Sequence, residues 1–243
     1  MALPIPRRPP THGQLSAHFA GNSTEHIIEL LRQTRPGPEV DEDVAVSEAH
    51  ARGEVSRSEL LVALHERGSR EVFEAAEVLC RDDRPEERTL GLRILRELGP
   101  SDKRPVFDET WPLLEEMVET EEDDDVLYWV LSCLWYAGNP RVIDTLVRYS
   151  SHPNDDIRQT IAFGVAGCGP DDPRVVEVLL RLAGDPVDDV RGYAVYDFVE
   201  SITADSPEIR AVLTGLLDDP DEGVRRDAAA ALKVREPGGE GSV

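Results

Sequence analysis

Three segments of this sequence repeat one pattern with a period of 33 or 34 residues, beginning at Asn139, Asp172 and Ser206. Three columns keep that spacing: Pro140, Pro173 and Pro207; Pro153, Pro186 and Pro220; and Arg158, Arg191 and Arg225. Periods of about 20–50 residues are typical of repeat architectures, in which each unit buries its apolar surface against its neighbours. The period therefore predicts a stack of similar units.

Each repeat is predicted to consist of two helices. The first begins with a capping side chain followed by proline, as in Asp172-Pro173, where the missing proline N–H has no cost. The second has apolar residues at i, i+4 and i+8, which lie on one face of a helix. These columns are Ile157, Ile161 and Val165; Val190, Ala194 and Phe198; and Val224, Ala228 and Leu232. The pattern predicts an all-α solenoid.

The periodicity also predicts how the chain is organised. We expect a mobile N-terminal segment over residues 1–22, and N-terminal helices with a loop over residues 23–68. Within the second region, residues 24–34 and 56–66 are predicted helices, and Ser56 and Glu59 form a capping box. About five repeats follow over residues 69–235, and residues 236–243 are predicted to be a disordered tail.

The conserved-looking pattern of the last two repeats resembles the HEAT repeat, and more narrowly the bacterial phycobilisome-lyase HEAT-like form. The matching residues are Asp185-Pro186, Val190-Arg191, Ala194 and Phe198, then Asp219-Pro220, Val224-Arg225, Ala228 and Leu232. The resemblance extends over roughly residues 69–235. It implies a right-handed superhelix of HEAT-type helical hairpins, and a role in binding other proteins.

The resemblance also implies a ladder between neighbouring repeats, formed by the turn aspartate and the arginine six residues later. The ladder residues would be Asp185, Arg191, Asp219, Arg225 and Arg158. His152 stands where the earlier repeat should have its aspartate, and Leu127 stands in the arginine column. We therefore expect the ladder to be interrupted in the middle of the array.

The chain is strongly acidic, with a formal net charge of −23. Such a surface repels nucleic-acid phosphates and anionic lipids, and favours either simple solubility or a basic partner. The densest run, Glu119 to Asp125, is predicted to be a solvated loop, with a docking site for a basic partner as the alternative. We expect neither a nucleic acid nor a membrane as partner.

The sequence lacks the common motifs for catalysis and cofactor binding. The sequence has no Gly-rich phosphate loop, nucleophile elbow or H-E-x-x-H pair. HEAT-like hydroxylases use several His-Glu pairs, whereas this chain has only His65-Glu66. The three cysteines are odd in number and widely spaced, which predicts free thiols in a reducing compartment. We expect no catalytic residue, metal or cofactor.

Aromatic residues mark the second helices at the positions three and six after the column valine, which should face the inner surface of a superhelix. With neighbouring polar residues they give a candidate partner-binding set: Trp129, Ser132, Tyr136, Thr160, Phe163, Tyr193, Tyr196, Glu200 and Asp227. Tyr and Trp dominate binding hot spots, and cations stack on their rings. The rings either bind a partner or fill gaps between repeats, and the sequence leaves both interpretations open.

The function predicted from the sequence is a non-catalytic scaffold or adaptor that binds a basic protein or peptide in a concave groove. The alternatives are a HEAT-type enzyme, either a chromophore lyase or a metal-dependent hydroxylase, and an inhibitor of a basic toxin. The lack of a signal peptide and of a long apolar stretch predicts a cytoplasmic protein, and we expect a monomer.

Overall fold

A computed structural model describes residues 19–34, 55–98 and 107–236. Within these ranges all regular structure is helical, as the repeat pattern predicts. The α-helices of the described ranges are α1 (Thr24–Gln33), α2 (Arg57–Arg67), α3 (Arg70–Cys80), α4 (Pro85–Arg96), α5 (Phe107–Thr120), α6 (Asp124–Tyr136), α7 (Ile143–Tyr149), α8 (Asp155–Gly164), α9 (Pro173–Leu182), α10 (Asp188–Glu200), α11 (Pro207–Gly215) and α12 (Glu222–Lys233). Short 3₁₀ helices lie at Pro140–Val142, Ala166–Cys168 and Leu216–Asp218.

The chain divides into two compact units, residues 1–116 and 117–243, with the division inside α5. In the first unit, α3 and α4 form a hairpin, α1 packs on α2 and α3, and α2 packs on α4. Arg32 forms an ion pair with the buried carboxylate of Glu87, with Nη2 2.9 Å from Oε2. This contact ties α1 to α4 across 55 residues of sequence.

The packed part of the first unit includes residues that the sequence assigns to a mobile segment. Phe19 is buried, and Arg67 donates hydrogen bonds to the carbonyl oxygens of Phe19 and Asn22 at 2.8 and 2.7 Å. Residues 19–22 thus contact the folded helices, and the boundary at residue 22 stays a prediction. Residues 1–18 and 237–243, most of the predicted mobile segment and tail, lie outside the described residues.

In the second unit the hairpins stack in chain order. The second helices α6, α8, α10 and α12 each contact the next, and on the other side α7 packs on α9. The predicted apolar columns of α8 and α10 are fully buried, from Ile157 to Phe198. In α12, Val224 and Ala228 are buried but Leu232 is half-exposed.

Helix starts follow the predicted chemistry. The side chains of Asn139, Asp172 and Ser206 each cap the proline-led helical turn that follows them. Ser56 and Glu59 form the predicted capping box, in which each side chain accepts a hydrogen bond from the other residue's N–H. Gly138 ends α6 with a φ of 60°, a backbone conformation that favours glycine. Local sequence therefore fixes where these helices begin and end.

The arginine column holds successive repeats together. Arg158 makes a bidentate ion pair with Asp185, at 2.7 and 3.0 Å, and Arg191 makes the same pair with Asp219, both at 2.9 Å. Each arginine thus bonds the turn aspartate of the following repeat. Its third nitrogen, Nη1, donates to two carbonyl oxygens of its own turn, as Arg225 also does.

Candidate partner-binding groove

A groove with a volume of about 460 Å³ lies between α10 and α12, with Phe163 of α8 at its edge. Its lining residues are Phe163, Asp188, Asp189, Gly192, Tyr193, Tyr196, Asp197, Asp221, Gly223, Val224, Arg226 and Asp227. On α10, Asp189, Tyr193 and Asp197 are spaced by four residues and form one stripe of the helix surface. Four residues of the predicted set, Phe163, Tyr193, Tyr196 and Asp227, therefore meet in one place.

A row of edge-to-face aromatic contacts runs toward the groove. The rings of Trp135 and Phe163 are 5.2 Å apart, and those of Phe163 and Tyr193 are also 5.2 Å apart. Phe163 is 54% exposed, Tyr193 39% and Tyr196 50%. Single exposed apolar side chains are common on protein surfaces, but three adjacent ones form a patch that a partner could cover.

Two residues of the predicted set are buried. Ser132 has no exposed surface, and Thr160 accepts a 2.9 Å hydrogen bond from Trp135 Nε1 beneath the aromatic row. The Trp135 ring lies flat against Gly164, where a Cβ atom would overlap the indole. Ser132 and Thr160 lie inside the packing of α6 and α8, where Thr160 orients the indole, and that they contact a partner stays a prediction.

Three further members of the predicted set lie outside the groove. Trp129 is half-buried and makes an edge contact with Tyr128 at 5.4 Å. Tyr136 is half-buried and makes an edge contact with Trp135 at 5.8 Å. Glu200 is exposed at the end of α10 and does not line the groove. The aromatic side chains are thus half-buried on α6 and exposed on α10.

The groove is acidic. Five of its lining residues are aspartates and one, Arg226, is basic, so its net charge is −4 when all of them are ionised. Arg226 itself is bound to Asp227, with Nε 2.9 Å from Oδ1 and Nη2 3.2 Å from Oδ2. A low-dielectric wall lined with one sign of charge concentrates the field, so the groove attracts cations.

Asp197 differs from the other aspartates because it is buried, with 8% of its surface exposed. Its Oδ1 accepts a 3.1 Å hydrogen bond from Ser201 Oγ, whereas Oδ2 accepts none from any residue that the structure describes. Burial raises the pKa of this carboxyl to about 6. The sequence places Asp197 one helical turn after Tyr193. That spacing does not show that one of its carboxylate oxygens has no hydrogen-bond donor.

Other chemistry-bearing residues occupy packed positions. Cys80, Cys133 and Cys168 are buried free thiols, and burial raises the pKa of Cys168 to about 12. His65 is half-buried, with Nε2 3.0 Å from the carbonyl oxygen of Arg93. In the described ranges no group of three or more His, Cys, Asp or Glu side chains is placed to hold a metal ion. The described helices include none with the length and apolar character for a membrane span.

Known proteins were compared with this chain at the levels of sequence and fold. A family model of HEAT repeats matches residues 110–197, which include α6 to α9 and most of α10. No protein of curated function matches the sequence. The sequence comparison thus identifies the repeat type and no individual relative.

Solved structures with the same fold have low sequence identity to this chain. The Escherichia coli protein YibA is 19% identical, with a TM-score of 0.69 over 95% of this chain and 77% of YibA. A designed armadillo repeat protein in complex with the peptide (KR)4 is 14% identical, with a TM-score of 0.55 over 87% of this chain and 98% of the design. An engineered protein is 16% identical, with a TM-score of 0.54 over 91% and 94% of the two chains. At these identities the similarity concerns the fold, an α-solenoid of helical repeats.

Proposed function

Because this chain is a HEAT-repeat protein, we propose that it is a non-catalytic interaction scaffold whose groove binds a basic segment of a partner protein. The observation that carries the proposal is the meeting of three exposed aromatic rings and five aspartates in one groove of the second unit. Apolar rings supply contact area, and aspartates supply charge complementarity.

The aromatic part of the groove supports protein binding over simple packing. Phe163, Tyr193 and Tyr196 are between 39 and 54% exposed, whereas other apolar residues of the same helices are fully buried. Tyr and Phe rings give a large contact area at a low cost in conformational entropy, and their faces attract cations. A partner that covers the rings would bury apolar surface without rearranging the repeats.

The charge of the groove supports a basic partner. Opposite charge speeds the encounter and selects the partner, while desolvation at the aromatic rings contributes affinity. The designed armadillo protein of the same fold is in complex with (KR)4, a peptide of alternating lysine and arginine. That complex makes (KR)4 a suitable first probe for this groove.

The test is a fluorescence anisotropy titration of labelled (KR)4 with the full-length protein at low salt. We expect saturable binding, and a loss of about tenfold or more in affinity for Tyr193→Ala with Tyr196→Ala, because hot-spot aromatics each contribute on the order of 1–2 kcal/mol. Leu217→Ala is the matched control, since Leu217 is also 39% exposed but lies outside the groove.

Two results would overturn the proposal. Binding that Leu217→Ala weakens as much as the tyrosine variant does would place the contact elsewhere. The absence of any saturable binding of (KR)4 or of a scrambled lysine and arginine peptide would remove the basic-segment proposal. Circular dichroism of each variant establishes that the helices are intact in every titration.

We also propose, as the sequence suggests, that the protein is cytoplasmic and monomeric. Sedimentation velocity tests the monomeric state. A narrower version of this function, inhibition of a basic toxin, would use the same groove and the same negative charge for binding. For a chromophore lyase or a metal-dependent hydroxylase, we find no favouring observation in the described residues.

A further inference from the structure

The groove contains a recess built around one carboxylate. Asp197 lines the groove, yet 92% of its surface is buried, and Tyr193 lies one helical turn before it on the same face of α10. The exposed aspartates give the groove a general negative charge. Asp197 is different because its Oδ2 exposes less than 1 Å² of surface, so a donor reaches this oxygen only when the side chains that cover it shift.

The hydrogen bonds of Asp197 are incomplete in a particular way. Ser201 Oγ donates to Oδ1 at 3.1 Å and thereby fixes the carboxylate, while Oδ2 has no donor among the described residues. Arg226, the basic residue of the groove lining, is already bound to both oxygens of Asp227. A buried carboxylate oxygen without a donor is costly and is rare in folded proteins. The recess therefore lacks one donor, and a cationic donor satisfies both its charge and its hydrogen bond.

A guanidinium matches this recess better than an ammonium does. The guanidinium is planar and weakly hydrated, so one edge can donate to a carboxylate while its face stacks on an aromatic ring. An ammonium is strongly hydrated and must lose that water to enter past Tyr193. The combination of a recessed acceptor and a neighbouring ring therefore selects for arginine over lysine.

The following inference rests on the proposed function. We infer that the groove binds one arginine of the partner segment, whose guanidinium donates to Asp197 Oδ2 and stacks on Tyr193. The other aspartates of the groove attract lysine and arginine alike. Asp197 is then the residue that determines specificity, and it distinguishes an arginine-containing segment from one that is merely basic.

The test compares two labelled octapeptides, one of lysine and one of arginine, against the full-length protein and two variants. For the unmodified protein we expect the arginine peptide to bind about tenfold tighter, as for one added charge-assisted hydrogen bond. Asp197→Asn should reduce this preference to about twofold or less. Asp189→Asn, the matched control in the exposed part of the same stripe, should weaken both peptides equally and leave the preference intact.

The outcomes separate this inference from the proposed function. If both peptides bind with equal affinity, or if Asp197→Asn weakens both equally, the arginine recess is overturned while the basic groove stands. If neither peptide binds, both the proposed function and the arginine recess are overturned. An arginine preference that Asp197→Asn abolishes and Asp189→Asn retains supports both.

A second measurement avoids the variants altogether. Ethylguanidinium and propylammonium chloride carry the same charge, and each is added at equal concentration to the complex of the unmodified protein with the arginine peptide. We expect ethylguanidinium to displace the peptide at about tenfold lower concentration than propylammonium. Equal displacement by the two salts would overturn the recess even if Asp197→Asn failed to fold.

Discussion

At the scale of single residues, Asp197 illustrates how a binding site can oppose stability. Its pKa is about 6 in the folded protein against 3.8 for an ordinary aspartate, so the folded state holds its proton more tightly than the unfolded state does. Folding is then favoured while the carboxyl is protonated, and this advantage is lost as the pH rises from about 4 through about 6. At neutral pH the ionised carboxylate is a cost, of up to about 3 kcal/mol, that a cationic partner relieves.

This cost predicts that Asp197→Asn stabilises the protein in a pH-dependent manner. We expect the free energy of unfolding in urea to rise by about 1–2 kcal/mol at pH 7.5, less than the full cost because the amide needs a partner too. At pH 4, where the folded protein already holds the proton, the variant should match the original. A gain of equal size at both pH values would contradict the account, and Asp218→Asn, an exposed aspartate outside the groove, is the control.

Alanine substitution at two glycines is expected to change the free energy of unfolding in opposite directions. Gly164 lies against the Trp135 ring, so Gly164→Ala must displace the indole and its hydrogen bond to Thr160, and we expect a loss of about 2–3 kcal/mol. Gly192 lies inside α10 with open space at its Cβ position, so Gly192→Ala should stabilise by about 0.5–1 kcal/mol. Urea denaturation measures both, and a stable Gly164→Ala would contradict the described packing of Trp135.

At the scale of elements, the repeats are joined by a rung that passes from each arginine to the next turn aspartate. Arg158 and Arg191 both make it. The preceding rung is absent as a whole, since Leu127 replaces the arginine and His152 replaces the aspartate that it would have met. His152 still serves its own turn, because Nδ1 accepts a hydrogen bond from the Asn154 N–H at 3.2 Å. Loss of both partners together leaves no buried charge unpaired.

The rung predicts strong coupling between Arg191 and Asp219, whose side chains are 10 and 6% exposed. Arg191→Met should cost about 2–4 kcal/mol, because it leaves the Asp221 N–H as the donor to Asp219 and removes the donor to two turn carbonyls. A double-mutant cycle with Asp219→Asn should give a coupling above about 1.5 kcal/mol. The exposed pair of Arg174 and Asp172 is the control, at less than about 1 kcal/mol. Equal coupling in both pairs would show that the rung does not hold the repeats.

Much of the architecture could be predicted from the sequence, and the reasons differ by element. Capping residues, prolines and the i, i+4, i+8 columns are local, so the helices of the second unit lie where the pattern places them. The accessibility of Ser132 and Thr160 was not predictable, because it depends on how α6 packs on α8. Asp227 was in the predicted set, but the meeting of Asp197 with Asp221 was not predictable, since they come together only when α10 packs on α12.

At the scale of the whole molecule, a net charge of −23 makes salt act in two opposite directions. Repulsion among like charges destabilises the folded chain, and the same field attracts a basic partner. Raising NaCl from about 0.05 to 0.5 M shortens the screening length from roughly 14 to 4 Å and weakens both effects. We expect the thermal midpoint to rise by a few degrees while the affinity for (KR)4 falls about tenfold or more. A midpoint that falls with salt would contradict the self-repulsion.

Binding of basic segments between α10 and α12 can be located by mapping backbone amide chemical shifts by NMR. On titration with (KR)4, we expect the largest shifts in residues 188–200 and 221–227, near Tyr193, Asp197 and Asp227. The acidic run from Glu119 to Asp125 serves as an internal comparison, because it has charge without the aromatic groove. Shifts concentrated in that run, with α10 and α12 unchanged, would contradict binding in the groove. They would show that charge alone determines where the peptide binds.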